Sequence, residues 1–144
     1  MTTVDFYLRK LPNNAIEALR IFGLAMFDRP HNALAHFMEN AACGEIQRRH
    51  WNSENPSEPP VDVDLPVIEF ENWSDCDVGD ALLVLTGASY GEFHSMNETT
   101  GEFIDELVVV VVLEATNRLK ASGDERNSTT YPIRMLQPRG NTND

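Results

Sequence analysis

The sequence predicts an α+β domain: an N-terminal strand and a helical pair, followed by a four- to five-strand antiparallel sheet or small barrel. Three observations lead there. Apolar residues alternate along residues 4–8, they follow helical spacing from residue 15 to residue 46, and beyond residue 60 they turn β-branched, ending in five consecutive valines at 108–112. A chain of 144 residues matches one domain and buries roughly 68–70% of the surface its unfolded form exposes.

Val4, Phe6 and Leu8 alternate with Asp5, Tyr7 and Arg9, the period of a strand with one buried face. Pro12 and Asn13-Asn14 then read as a turn and helix N-cap. Ile16, Leu19, Phe22, Gly23 and Met26 continue at helical spacing to about Phe27, where Asp28-Arg29-Pro30 breaks the helix. A second helix starts near His31 or Asn32, with Leu34, Phe37, Met38, Ala41, Ala42 and Ile46 as its apolar stripe. Gly44 weakens its last turn by up to about 1 kcal/mol relative to alanine. Residues 52–60, NSENPSEPP, form a proline-rich linker.

The part from 61 to 139 reads as β-rich. Val67, Ile68 and Phe70 mark a strand, residues 74–80 a turn, and residues 81–85 a continuous apolar strand. Residues 86–101 carry three glycines and many polar groups, which reads as a long loop or loose hairpin around Tyr90 and Phe93. Residues 103–115 give the strongest strand, whose apolar run at 107–113 implies burial on both faces. A polar turn at 119–130, a last strand at 129–136 pushed to a sheet edge by Pro132, and a tail at 140–144 complete the chain.

Part of this region resembles the hairpin core of ASCH and other PUA-like barrels. The points of contact are Ile68-Glu69-Phe70, Val78-Gly79-Asp80 leading into residues 82–85, and Thr100-Gly101-Glu102 before the valines. The resemblance covers about a third of the chain and implies a barrel-like fold. Members of that family bind RNA or modified nucleotides. Here the family's upstream Gly-x-Lys is absent, and Glu71 stands where its Glu-x-Arg motif has arginine.

The net charge of −12 is unevenly placed. Residues 1–60 hold six Lys/Arg against seven Asp/Glu, and residues 115–144 hold five against three. Residues 61–114 hold thirteen acids and no Lys or Arg, so the excess negative charge lies in one segment. Such a field repels nucleic-acid phosphates and attracts basic proteins.

Enzymatic motifs are not evident. His31 and His36 lack the spacing of a zinc helix: five residues turn about 500°, leaving the side chains about 140° apart. His50 and His94 read as ordinary surface histidines. Cys43 follows two alanines on a packed face and reads as a small hydrophobe, while Cys76 between Asp75 and Asp77 makes a poor nucleophile. Glu71, Asp75, Asp77 and Asp80 crowd like calcium ligands but miss the EF-hand spacing, with Asp80 at the glycine position and Thr86 at the final one. No metal and no cofactor is expected.

Residues 1–11 contain no apolar stretch of a targeting signal, the longest apolar run is seven residues, and two cysteines make no disulfide framework. Asn72, Asn97 and Asn127 match glycosylation sequons by chance in a polar chain. The expectation is a cytoplasmic protein with reduced thiols, no membrane contact and no direct contact with nucleic acid.

The leading functional expectation is a non-enzymatic interaction module offering Asp62, Asp64, Glu69, Glu71, Asp75, Asp77 and Asp80 to a basic protein partner. An inhibitor or anti-defence protein that occupies a nucleic-acid-binding groove by charge mimicry is its concrete form. A second expectation is a homo-oligomeric subunit of a virion or tail, joined through the valine segment. A third is a small barrel that binds a ligand or nucleotide between Trp73, Tyr90 and Phe93.

Overall fold

The computed structural model describes residues 1–122. They form five α-helices and one two-stranded sheet, in the order β1 (Thr2–Thr3), α1 (Asn13–Ala25), α2 (Ala33–Glu54), β2 (Val67–Ile68), α3 (Asp75–Leu85), α4 (Ala88–Met96) and α5 (Glu98–Ser122). Short 3-10 turns occupy Leu8–Lys10 and Phe70–Asn72. The expected four- to five-strand sheet or barrel does not form among these residues, and the α+β reading gives way to a mainly helical fold. The last expected strand, at 129–136, and most of the 119–130 turn lie outside the described residues; residues 119–122 belong to α5.

The N-terminal half follows its pattern closely. Val4, Phe6 and Leu8 are buried and Asp5, Tyr7 and Arg9 are exposed, as alternation requires. The strand expected over residues 4–8 does not form: only Thr2 and Thr3 find a partner, pairing antiparallel with Ile68 and Val67, and Leu8–Lys10 closes into a 3-10 turn. α1 and α2 pack as a hairpin around Gly23. A Cβ at that position would come within 2.8 Å of the Ala35 carbonyl oxygen and 2.9 Å of the Glu39 backbone nitrogen, so only glycine allows this approach. α2 runs through Gly44 to Glu54, absorbing the first three residues of the expected linker.

The second half corrects the strand reading element by element. The residues expected to form a turn at 74–80 instead start α3. Ser74 Oγ accepts from the Asp77 N–H (3.1 Å) and Asp77 Oδ2 accepts from the Ser74 N–H (2.9 Å), a reciprocal capping box. Behind it Val78, Ala81, Leu82 and Leu85 recur at helical spacing and are buried, so residues 81–85 are helix, not strand. The expected loop at 86–101 contains α4, whose Phe93 packs edge-on against Phe22 of α1 at 5.3 Å between centroids.

The valine segment is the middle of α5. Phe103, Ile104, Leu107, Val110, Val111, Ala115 and Leu119 are buried along one face, while Val109, Val112 and Leu113 are exposed. Each valine costs a helix about half a kcal/mol against alanine. Burying one apolar side chain returns about 1.5–3 kcal/mol, so packing overrides β-propensity. One hydrophobic cluster joins the N-terminal segment, α1, α2, α3, α4 and α5, and Phe6 meets Phe103 within it at 5.4 Å.

Candidate protein-interaction surface

The seven acids singled out by sequence separate into two groups. Four are engaged in local structure. Asp80 is buried and forms a two-point ion pair with Arg29, tying α3 to the α1–α2 corner. Asp77 caps α3, Asp75 accepts from Arg118 Nη1 (2.8 Å), and Asp62 accepts from Arg9 Nη1 (2.6 Å). The remaining three, Asp64, Glu69 and Glu71, are exposed, as are Asp62 and Asp75. Glu69 accepts from Asn72 Nδ2 at 3.1 Å, and Glu71 lies 3.5 Å from the N-terminal ammonium. Glu71, Asp75, Asp77 and Asp80, crowded in sequence, are thus divided among the N-terminal ammonium, Arg118, a helix cap and Arg29.

Three arginines explain where the other structural acids go. Glu45, fully buried on α2, receives Arg48 and Arg49 from the next turn. Arg49 also donates to the Leu8 carbonyl (3.1 Å), the Leu11 carbonyl (2.5 Å) and Asn13 Oδ1 (2.5 Å), which fixes the N-terminal segment on α2. Arg48 reaches the Val61 carbonyl at 3.1 Å. Burial alone would raise the Glu45 pKa, but the hydrogen bonds from both arginines outweigh it and hold the carboxyl below its ordinary value. Arg118 of α5 plays the same part elsewhere, donating to Glu114, Asp75 and the carbonyls of Phe70 and Trp73.

α5 presents the surface that residue spacing alone did not reveal as a unit. Glu98, Glu102, Asp105, Val109, Val112 and Thr116 fall within about 40° of one line on the helix at 100° per residue. Glu98, Glu102 and Asp105 are exposed, and the strip continues into Val109 (49% exposed), Val112 (43%) and Leu113 (57%). Glu92 on α4 adds a further exposed carboxylate. Among the described residues, Asp64, Glu92, Glu98 and Glu102 make no ion pair. The signal was present as a helical period in residues 98–116, masked by the valines.

Beside this strip, Asp105 Oδ1 accepts from Tyr90 Oη (2.9 Å) and lies 3.0 Å from His94 Nε2. The hydrogen bond to Asp105, reinforced by partial burial, raises the Tyr90 pKa. The His94 ring sits over Gly101, where a Cβ would come within 2.5 Å of Nδ1. The trio fastens α4 to α5. The aromatics weighed as a shared ligand pocket do not converge: Phe93 is buried, Tyr90 stacks against His94, and Trp73 packs edge-on against Phe70.

An open groove of about 480 Å³ lies between α2 and β2, lined by His36, Phe37, Asn40, Val67, Glu69 and Trp73 among others. His36 stacks on Phe27 at 4.4 Å. Cys43 donates to Glu39 Oε2 (2.9 Å), a bond that, with burial, raises the thiol pKa. That shift suppresses the thiolate a nucleophile needs. No helix among the described residues is long and apolar enough to cross a membrane. No family model, curated protein or solved structure matches this chain.

Proposed function

We propose that this protein is a non-enzymatic interaction module that offers an acidic surface to a basic protein partner. The observation that carries the reading is the exposed strip of α5, where Glu98, Glu102 and Asp105 lead into Val109, Val112 and Leu113 in a segment without lysine or arginine. Carboxylates accelerate and orient the encounter with a basic surface, and the apolar centre supplies the area that survives salt. Occupation of a basic nucleic-acid-binding groove on another protein is the concrete form this takes.

The test is capture of partners by the immobilised full-length protein at low and high ionic strength. The variant Glu92→Lys/Glu98→Lys/Glu102→Lys should lose salt-sensitive partners, and Asp64→Lys/Glu71→Lys should weaken them less. Binding that survives the triple reversal unchanged would sink the proposal.

The same strip favours a second reading, a self-associating subunit of a larger assembly. Val109 stands midway between Glu98 and Lys120, so two copies of α5 packed antiparallel would set valines against valines and Glu98 beside Lys120. Molar mass by light scattering separates the readings: concentration-dependent dimers abolished by Val112→Lys support the assembly, and a monomer at all concentrations removes it.

A further inference from the structure

The register of the small sheet leaves one edge open toward the α2–β2 groove. Thr2 pairs with Ile68 and Thr3 with Val67, and the Val4 N–H donates to the Pro66 carbonyl at 2.8 Å. In an antiparallel ladder this makes residues 2/68 and 4/66 the hydrogen-bonded pairs and 3/67 the non-hydrogen-bonded pair. The Val67 N–H and C=O therefore point away from β1. Neither has a hydrogen-bond partner among the described residues, and Val67 lines the groove and is 41% exposed.

The opposite wall is the α2 face carrying Ala33, Phe37 and Ala41. Glu69, Asn72 and Trp73 also line the groove, and among the described residues no lysine or arginine does. A free strand edge facing a helix across an apolar trough is the arrangement that receives an extended peptide by strand addition. A carboxylate beside an indole suits a cationic side chain, which meets charge and ring face together.

We propose that the α2–β2 groove binds an extended segment of a protein partner. That segment adds as a third strand at Val67, seats an apolar residue against Phe37 and Ala41, and places a lysine or arginine at Glu69 and Trp73. This site is separate from the α5 strip and does not depend on it.

The test is selection of a phage-displayed library of random decapeptides on the full-length protein, followed by titration of synthetic copies of the selected peptides. The expected peptides carry β-branched or aromatic residues at alternate positions and one Lys or Arg. Their binding protects the Val67 amide from hydrogen exchange. Val67→Pro removes the donor without touching the β1 ladder and should weaken binding about tenfold, while Val67→Ala stays within about threefold. Asn40→Trp fills the trough from an exposed helix position and should abolish binding, with circular dichroism confirming the fold of each variant. Failure to enrich any peptide over the Asn40→Trp variant would overturn the proposal. Protection of the Val67 amide before any peptide is added would overturn it too, because the edge is then already covered, by residues 123–144 or by a second copy. Loss of peptide binding in the α5 charge-reversal variant, with Val67→Pro without effect, would also overturn this site while leaving the α5 proposal standing.

Discussion

The α1–α2 hairpin and the α4–α5 hairpin carry acids to opposite ends. In the first, Glu45 lies buried between Arg48 and Arg49, and Glu17 pairs with Arg20. In the second, Glu92, Glu98 and Glu102 face solvent and make no ion pair among the described residues, and the exposed apolar side chains of α5 continue their line. A carboxylate taken out of water requires its cation and hydrogen bonds, so Glu45 is constrained by folding, whereas the Glu17–Arg20 pair stays at the surface. A carboxylate left in water needs neither, so the second set is free to serve a partner. The contrast separates charge that holds the fold from charge that the fold merely displays.

The strongest way to break this contrast is at Glu45. Glu45→Gln leaves Arg48 and Arg49 without their shared counter-charge and should cost about 3 kcal/mol in urea unfolding. The pH dependence follows the same group. Because the folded pKa of Glu45 is lowered, its contribution is complete above the unfolded value near pH 4.5 and is lost as pH falls through the folded value. The wild-type protein should therefore lose stability on acidification in a window that Glu45→Gln flattens, read as urea midpoints from pH 6 downward.

A smaller effect sharpens the assignment of α5. Val111→Ala empties a fully buried position and should cost about 2 kcal/mol. Val109→Ala, two residues away on the exposed face, should instead stabilise by about half a kcal/mol, since it replaces a β-branched residue on a helix surface. A two-faced buried strand would lose stability at both positions, so thermal unfolding of the pair decides between helix and strand. The smallest effect belongs to the displayed charges: Glu92→Lys and Glu102→Lys should each change stability by under about 0.5 kcal/mol, whatever they do to binding.

These particular residues also explain what was readable in advance. Leu19, Phe22, Leu34, Met38 and Ala42 keep helical spacing and have proline or asparagine at the boundaries, so local pattern and tertiary packing agree there. In α5 they disagree: valine's local preference points to a strand, while Phe103, Leu107, Val111 and Ala115 keep the four-residue step that packing rewards. The Ser74–Asp77 pair was a helix start written in the sequence, but its aspartates also suit a turn. Of the candidate acids, Asp62, Asp64, Glu69, Glu71 and Asp75 lie at the surface. The burial of Asp80 depends on Arg29, fifty-one positions away, which no local pattern encodes. The groove edge at Val67 depends on the register with Thr3, another long-range pairing.

The clamp made by Arg118 has a consequence for how the chain is made. The carbonyls of Phe70 and Trp73 receive its guanidinium, and Phe6 receives Phe103. During synthesis those early groups emerge long before their partners. The α1–α2 hairpin is built from neighbouring sequence and can close first, whereas the 3-10 turn at Phe70–Asn72 stays unclamped until α5 is nearly complete. A chain halted before residue 103 would expose the apolar flank that Phe103, Leu107 and Val111 cover, making the nascent protein a client for chaperones until its last described helix arrives.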